Sequence, residues 1–440
     1  MKKILVFLAL VIALLVNYNV NAKDTISSDT KYYEDTYKFI INGYDKNNKR
    51  NGHLIGGTFI KNKDNNKYEE ILIVKYNENG KIEWDYINET EGSENSLYSI
   101  NYYYEENNIT GYIINLKEDQ TAYFVKLDLE GNLIEKEPQS NCQTTTSMEE
   151  VIINDTFQGY ITAGTINIDG KNIGIITKYN ALLEPEWTKQ YNMEEYNELS
   201  VIDIIPITNN EYITGYNFLL ELKQDNIRTI KYLKINEAGE NINTIKENFE
   251  ENDYPSIYKT DNGYILYGYT HEVKVNNNKS QSYYLIKYND NDEVEWETIG
   301  NIEINVDKPL KLEYLRENNE DKYYVMATNS TDEALEITKI AHDGTIENKI
   351  KKINNNYYDI KTFLLDNNTI YFIGQINCPE YDKCTYERKS LYLISDEDKV
   401  IEVQDNDSRL ILIITILLII GVFTIVIIKG RKKESILNQS

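Results

Sequence analysis

A segment of about 52 residues recurs along this chain, and it limits the possible folds more than any other feature. Each copy has an apolar run that ends in Lys, followed by Asn or Asp and usually Gly. The aligned lysines are residues 75, 126, 178, 234, 287 and 339, with spacings of 51, 52, 56, 53 and 52. A seventh, less regular copy is Leu391–Ser395. Such a regular period predicts an array of equivalent structural units.

Tryptophan follows the same period. The chain has three Trp residues, and Trp84, Trp187 and Trp296 each lie nine positions after an aligned Lys. An aromatic side chain that binds a ligand is expected at one site rather than at equivalent places in several repeats. We therefore predict that these rings pack between units, where a buried Trp contributes a large apolar area.

A second motif recurs in step with the first. It reads Gly-Tyr-Ile-x-x-Gly at residues 159–164 and 263–268, and its first copy is at residues 52–57. Weaker copies are centred on tyrosines, namely Tyr112, Tyr212, Tyr324 and Tyr371. This motif also gives seven copies, so each unit is predicted to hold at least two apolar strands.

The segments around the two motifs predict two further strands in each unit. Gly after Asn-x-x supplies the positive φ that a hairpin turn needs. Beyond it the sequence alternates, with Ile82 and Trp84 on one side and Lys81 and Glu83 on the other. Four short antiparallel strands with this period are typical of a propeller blade. We predict an all-β chain folded as a β-propeller of seven blades, with six or eight blades as alternatives.

The combined pattern, a Gly-Tyr-Ile strand followed by Lys-Tyr/Leu-Asn/Asp-x-x-Gly-x-Ile-x-Trp, resembles bacterial surface and secreted β-propeller repeat proteins. The resemblance covers roughly residues 32–403. It implies a fold and an exterior location rather than a reaction. The repeat is also distantly similar to quinoprotein-type blades, but Trp is present in only three copies and the Ala-x-Asp-x-x-Thr-Gly form is absent.

The N-terminal segment is predicted to be a secretory signal peptide, residues 1–22. Lys2 and Lys3 give a basic start, Ile4–Val16 is an uncharged apolar run, and Ala22 is a small residue at the expected cleavage point. The apolar run is too short to cross a bilayer comfortably. The mature chain is therefore expected outside the cytoplasm.

The C-terminal segment is predicted to be a transmembrane helix, residues 409–429. Within it Leu410–Ile428 carries no charge and is long enough to span the hydrocarbon layer. Several cations follow, so the short tail, residues 430–440, is expected in the cytoplasm. Residues 23–404 would then form an extracellular propeller on a single-pass type I membrane protein.

Composition excludes some classes of partner and scaffold. The formal net charge is −25, which would repel a phosphate backbone, so nucleic acid is excluded as a partner. Three Cys residues are too few for a disulfide-dense scaffold. Cys378 and Cys384 flank five residues and are predicted to close a small disulfide loop in an oxidising exterior, which leaves Cys142 free.

Other candidate site residues have simpler structural interpretations. The aligned lysines are predicted to point outward, or to pack their stems while the charge reaches solvent. Asn289–Asp292 resembles the start of a calcium loop but lacks the required Gly and closing Glu, so a polar hairpin turn is expected. His53, His271 and His342 fall in different repeats and offer little material for a catalytic pair.

The sequence therefore predicts a membrane-anchored binding or interaction module with a protein or glycan ligand. It predicts no catalytic residue, no cofactor and no metal site. Binding loops are expected in the least repetitive segments, Leu222–Arg228, His271–Ser282 and Ile376–Lys389. One alternative is a carbohydrate-active hydrolase or lyase, which would need carboxylates or Arg residues converging at the channel mouth. Another is a structural component of an envelope assembly.

Overall fold

The computed structural model describes residues 26–27 and 36–396, apart from gaps at 64–65, 79, 90–94, 140–141, 194–195, 209–211, 226, 241, 247–248, 250–252, 276–277, 307, 318–319, 331–333, 355–357, 367–368 and 377–388. The chain divides into residues 1–400 and residues 401–440. Residues 1–22 and 409–429 lie outside the described part, so the predicted signal peptide and membrane span remain predictions. Among the described residues, no helix has the length and apolar character needed to cross a membrane.

Every element of the described residues is a β-strand, and the strands group in fours along the chain. The first three groups are β2 (Thr36–Tyr44), β3 (Arg50–Lys63), β4 (Asn66–Tyr76), β5 (Ile82–Asn88); β6 (Asn95–Glu105), β7 (Asn108–Glu118), β8 (Thr121–Asp128), β9 (Leu133–Pro138); and β10 (Thr144–Ile153), β11 (Thr156–Ile168), β12 (Lys171–Tyr179), β13 (Pro185–Tyr191).

The next three groups follow the same plan, with the aligned Lys always on the third strand. They are β14 (Glu198–Thr208), β15 (Ile213–Gln224), β16 (Ile227–Ile235), β17 (Asn243–Lys246); β18 (Ser256–Lys259), β19 (Tyr264–Val275), β20 (Asn278–Tyr288), β21 (Val294–Ile299); and β22 (Lys311–Glu317), β23 (Glu320–Thr328), β24 (Ala334–Ile340), β25 (Ile346–Asn354).

The last group is built from both ends of the described chain. It contains β26 (Tyr358–Asp366), β27 (Thr369–Ile376), β28 (Lys389–Asp396) and the N-terminal strand β1 (Ile26–Ser27). Strand β1 pairs antiparallel with β28, with Ile26 opposite Leu393 and Ser27 opposite Tyr392. This pairing makes the N-terminal strand the outer strand of the final unit.

Within each unit, consecutive strands pair antiparallel from the first to the fourth. The third and fourth units share one sheet through a single parallel pairing between Asn172 and Glu198. The described strands thus form seven four-stranded units, one for each repeat seen in the sequence.

Apolar side chains fill the spaces between neighbouring units. In one cluster, Ile73 of the first unit packs with Ile114 of the second. In another, Val74 of the first unit lies with Ile373 of the seventh, and the rings of His53 and Tyr371 are 3.9 Å apart across the same junction. Four-stranded units that pack face to face and join the last unit to the first form a β-propeller, which confirms the predicted all-β propeller fold.

The three tryptophans pack between units, as predicted. The indole nitrogen of Trp84 donates a hydrogen bond of 2.9 Å to the carbonyl of Leu129, which belongs to the next unit. The indole of Trp296 donates to the His342 carbonyl in the same way, also at 2.9 Å. Trp187 packs against Tyr216, again one unit further along. These contacts tie the first, third and fifth units to their successors.

The tyrosine of the second motif is buried on the second strand of its unit. Tyr112, Tyr160 and Tyr264 show no exposed surface. Pairing with the third strand corrects two sequence assignments, because the equivalent position is Tyr216 in the fourth unit and Tyr323 in the sixth. The residues named from the sequence were Tyr212, which is 54% exposed, and Tyr324. Tyr324 is one residue after the motif position, and Tyr212 is four residues before it and precedes β15, so the sequence spacing alone misplaced both.

The aligned lysines do not point outward in three of the units, so that prediction was wrong there. Lys75, Lys178 and Lys287 are between 1% and 3% exposed. Each ammonium group meets the carboxylate of the Glu eight residues later, at 2.7, 2.9 and 3.4 Å. The stems are buried while the charge is neutralised at the half-exposed end of the hairpin.

Candidate functional site

The first strands of the units line the centre of the propeller and run in the same direction. Three of them show this direction clearly. Lys38, Ser256 and Lys311 lie near the amino ends of β2, β18 and β22, in one cavity. Residues further along the same strands, such as Ile41 and Tyr314, line a second cavity. We call these the amino-end pocket and the carboxyl-end pocket.

The carboxyl-end pocket is the larger one, with a volume of about 1010 Å³. First strands of six consecutive units contribute to its wall, so it lies at the centre of the ring. The lining combines carboxyl, amide, hydroxyl and aromatic groups with one Lys: Ile41, Ile100, Asn101, Tyr102, Glu149, Glu150, Ile152, Asn154, Asp155, Thr208, Ile257, Tyr258, Lys259, Thr260, Asp261, Asn262, Asp290 and Tyr314.

Glu150, on strand β10, is held by the preceding unit. Its carboxylate accepts a hydrogen bond of 2.7 Å from the Tyr104 hydroxyl and one of 2.9 Å from the Tyr102 amide. Burial raises the pKa of Glu150 to about 7, although both hydrogen bonds oppose the increase. This carboxyl group therefore changes charge near neutral pH.

Glu149, the preceding residue on β10, faces the following units. Burial raises its pKa to about 8, and the negative charges of Asp203 and Glu150 add to the increase. Lys259 on β18 opposes it. At pH 7 the Glu149 side chain is mainly protonated, so it can both donate and accept a hydrogen bond.

Lys259 is the cation at the wall of this pocket. Its ammonium group donates to the Thr208 hydroxyl at 3.4 Å. Burial lowers the pKa of Lys259, while the charges of Glu149 and Asp290 partly offset the decrease.

A second set of charged groups continues from the carboxyl-end pocket towards the amino-end pocket. The Tyr258 hydroxyl forms a hydrogen bond with Glu313. Burial raises the pKa of Glu313 to about 8, and the charge of Lys311 opposes this increase. Burial lowers the pKa of Lys311, and the charges of Asp203 and Glu313 oppose that decrease. The two pockets are therefore linked by alternating acidic and basic side chains.

Asp203 of β14 fixes the position of neighbouring first strands. Its carboxylate accepts hydrogen bonds of 3.0 Å from the Ser147 hydroxyl and 2.9 Å from the Ile257 amide. Burial raises the pKa of Asp203, and these hydrogen bonds oppose the change. One carboxylate thus joins strands β10, β14 and β18 around the channel.

Within the part of the chain that the structure describes, no group of three or more His, Cys, Asp or Glu side chains has the arrangement of a metal site. The clustered carboxyl groups instead interact with Lys and Tyr side chains. Proton donation and acceptance are the chemistry that this set supplies.

Of the described residues singled out in the sequence, Asp290 lines this pocket, whereas the tryptophans, His53 and His342 are not in its lining. The tryptophans pack at unit junctions, and His342 is exposed in a turn. His53 is 2% exposed, and burial lowers its pKa to about 3. His271 lies on β19, where its side chain is outside the described set. Cys378 and Cys384 are also outside the described residues, so the disulfide remains a prediction.

Asn289–Asp292 forms the turn between β20 and β21. The Asn289 side-chain oxygen accepts hydrogen bonds from the backbone of Asn291 and Glu293, at 2.9 and 3.0 Å. Asp292 receives hydrogen bonds from Lys234, Asn217 and Tyr264, so its carboxylate joins two units.

The three non-repetitive segments all connect a second strand to a third strand. They join β15 to β16, β19 to β20 and β27 to β28. Because second strands run opposite to first strands, the strand ends that flank these connections lie at the face where the first strands begin. Most of Ile376–Lys389 and the side chains of 271–280 lie outside the description. That these segments bind a partner remains a prediction.

The sequence did not single out Glu149 and Glu150. The available signal was a pair of adjacent acids, Met148-Glu149-Glu150-Val151, inside a strand with apolar neighbours. In a chain with 71 acidic residues that signal is weak. Only the closure of the ring brings Lys259 and Asp203 close to this pair.

No protein-family model and no curated protein sequence matches the chain. Solved propellers are similar in structure. The WD40 domain of SCAP from fission yeast is 9% identical, with a TM-score of 0.45, and the match covers 85% of this chain and 98% of that domain. The β-propeller domain of the Trilobed protease from Pyrococcus furiosus is 11% identical, with a TM-score of 0.44 and coverage of 84% and 97%.

A polysaccharide lyase, Uly1, is also similar, with 11% identity, a TM-score of 0.47 and coverage of 84% of this chain and 91% of that one. At such identities and TM-scores the similarities do not bear on the ligand or the reaction of this chain.

Proposed function

We propose that this chain is a binding module that takes a glycan in the carboxyl-end pocket of its propeller. The observation that carries the proposal is the pocket itself, about 1010 Å³ in volume and lined by polar and aromatic side chains from six units. Pockets for small ligands have volumes of roughly 300–1,000 Å³, so this one has room for more than one sugar ring.

The lining chemistry supports a ligand rich in hydroxyl groups. Glu149 is mainly protonated at neutral pH and both donates and accepts hydrogen bonds, while Asn101 and Thr208 provide further polar groups. Tyr102 and Tyr258 offer aromatic surfaces beside these polar atoms. Sugars present the same combination of hydroxyl groups and apolar ring faces, so the pocket is complementary to them.

The predicted targeting segments support an exterior location for this activity. Residues 1–22 would direct export, and residues 409–429 would retain the protein in the membrane. The propeller would then meet glycans at or near the cell surface. The resemblance of the repeats to bacterial surface propellers is consistent with this proposal.

A glycan array probed with the purified full chain tests the proposal. Glu149→Gln mimics the protonated acid, so binding should persist up to high pH, whereas Glu150→Ala and Tyr258→Ala should weaken it at least tenfold. Glu237→Gln is the matched control, because Glu237 is exposed in a turn outside the pocket. Binding of proteins but no glycans, or glycan binding unchanged by the pocket variants, would contradict the proposal.

A second candidate is a carbohydrate-active hydrolase. Glu149 and Glu150 favour it, because acids with pKa values near 8 and 7 are suited to proton transfer at neutral pH. Release of reducing ends from the glycans bound on the array would support this function, and it should be lost in Glu149→Gln and Glu150→Gln. Stable binding without any release between pH 5 and pH 9 would exclude it for those glycans.

A further inference from the structure

The amino-end pocket has the opposite charge character to the rest of the protein. Its volume is about 400 Å³. Its described lining contains three lysines and no carboxylate, together with aromatic and apolar residues: Lys38, Phe39, Tyr254, Ser256, Tyr267, Tyr269, Pro309, Leu310, Lys311 and Lys361. The chain as a whole has a formal net charge of −25, so a lysine-lined cavity is unexpected by composition.

The three lysines come from consecutive units around the ring. Lys311 lies at the start of β22, Lys361 on β26 and Lys38 near the start of β2, in the sixth, seventh and first units. The closure of the ring therefore places them at one mouth of the channel. The three residues line one cavity although they are far apart in sequence.

Lys311 is half-buried and lies beside acidic groups. Burial lowers its pKa, while Asp203 and Glu313 favour the charged form. Glu313 follows Lys311 along β22 and Asp203 is in the middle of β14, and neither is in the described pocket lining. An anion that entered the pocket would meet the cations first and the carboxylates only behind them.

The pocket also has a wall that suits a ring-shaped molecule. Tyr254 is 59% exposed, and the Arg228 guanidinium lies 4.3 Å from its ring centroid. Arg228 is paired with Glu221 and bonds the Asp253 carbonyl, so it holds this ring in place. Pro309 and Leu310 add an apolar surface. A sugar ring that bears an acidic group matches both the cations and this wall.

We propose that the amino-end pocket is a second binding site, one that takes an acidic saccharide. The acidic group lies among Lys38, Lys311 and Lys361, and the sugar ring packs against Tyr254. The acidic group can be a carboxylate or a sulfate ester, since both are oxyanions that accept hydrogen bonds from ammonium groups. This site is separate from the carboxyl-end pocket and does not depend on the function proposed for it.

Titration calorimetry with the purified full chain tests this second site. The probes are a hexuronate disaccharide, a sulfated disaccharide and a neutral disaccharide. Acidic probes should bind at least tenfold more tightly than the neutral one, and their affinity should fall as salt is raised. Comparison of the two acidic probes identifies the preferred oxyanion. Equal affinity for acidic and neutral probes would overturn the proposal.

Charge-removing variants locate the site. Lys311→Met and Lys361→Met should each weaken acidic probes about tenfold, and Lys38→Met should do the same without affecting the fold, because Lys38 is exposed. Lys46→Met is the matched control, since Lys46 is exposed in the β2–β3 turn. Unchanged affinity in the folded Lys38→Met and Lys361→Met variants would refute the site. Glu150→Ala should leave acidic probes unaffected, which separates this site from the carboxyl-end pocket.

Discussion

The ring of Trp84 lies directly over Gly131 in the turn of the following unit. A Cβ atom added at Gly131 would come within 2.5 Å of two ring atoms. Trp187 and Gly239 have the same relationship, as do Trp296 and Gly344. The turns that follow units without Trp carry Leu183 and Asp292 at this position instead of Gly. Tryptophan and the glycine that accepts it therefore occur together, in every second junction of the first six units.

Replacing Gly131 with Ala should destabilise the protein by about 3 kcal/mol. Its φ of +83° is costly for Ala, by roughly 1–2 kcal/mol, and the methyl group also clashes with the Trp84 ring, which adds about 1–3 kcal/mol. Urea unfolding measures the loss. Gly170→Ala is the control, because Gly170 has a φ of +82° but no atom within 4 Å of an added Cβ.

A double-mutant cycle separates the cost of the positive φ from the cost of the clash with the Trp84 ring. In a Trp84→Ala background, Gly131→Ala should cost only about as much as Gly170→Ala, roughly 1–2 kcal/mol, because the clash is gone. If the cost of Gly131→Ala were the same with and without Trp84, the ring contact would have no energetic role.

Replacing Glu83 with Gln should destabilise the protein by about 2 kcal/mol. Lys75 is 1% exposed, and its ammonium group is 2.7 Å from the Glu83 carboxylate, so removing that charge leaves a buried cation without its partner. The side chain of Glu83 is partly exposed, which keeps the loss below that of a fully buried pair. The double variant Lys75→Met with Glu83→Gln should recover most of the stability.

Glu135→Gln is the control for this ion pair. Glu135 is exposed and follows Lys126, whose ammonium group lies over the Tyr103 ring at 3.4 Å rather than against a carboxylate. Removing the Glu135 charge should change the free energy of unfolding by less than about 0.5 kcal/mol. Equal effects of Glu83→Gln and Glu135→Gln would argue against the buried pair.

His53 should make the protein less stable in acid. Its pKa is lowered from 6.5 to about 3 by burial, so the unfolded chain binds a proton that the folded protein does not. The contribution is fully present above pH 6.5 and is lost as the pH falls towards 3, at about 1.4 kcal/mol per pH unit. His53→Phe keeps a ring against Tyr371 and should flatten this part of the stability profile between pH 6.5 and pH 4.

Glu149 should have the opposite effect. Its pKa is raised from 4.5 to about 8, so the folded protein keeps a proton that the unfolded chain releases. This contribution is fully present below pH 4.5 and is lost as the pH rises through 8. Relative to Glu149→Gln, the melting temperature of the wild-type protein should fall between pH 5 and pH 9. A constant difference between the two proteins across that range would show that Glu149 is not held in its protonated form.

The regular features of the fold could be predicted because each is encoded within one repeat. The aligned lysines, the three tryptophans and the turn glycines gave the strand-turn-strand pattern and the number of units. Their spacing did not show which side of the strand Lys75 faces, because a charged residue is usually exposed and its partner Glu83 lies across a hairpin. It also misplaced Tyr216, because local register depends on the pairing with the third strand.

The sequence by itself determined the repeated unit, its strand order and its junction tryptophans, since these depend on short-range pattern and turn chemistry. Only the tertiary structure decided the two pockets. Glu149 and Lys259 belong to different units, as do Lys38 and Lys311, and ring closure brings each pair into one cavity. The environment of a side chain at the centre of a ring depends on every unit around it, and no single repeat contains that information.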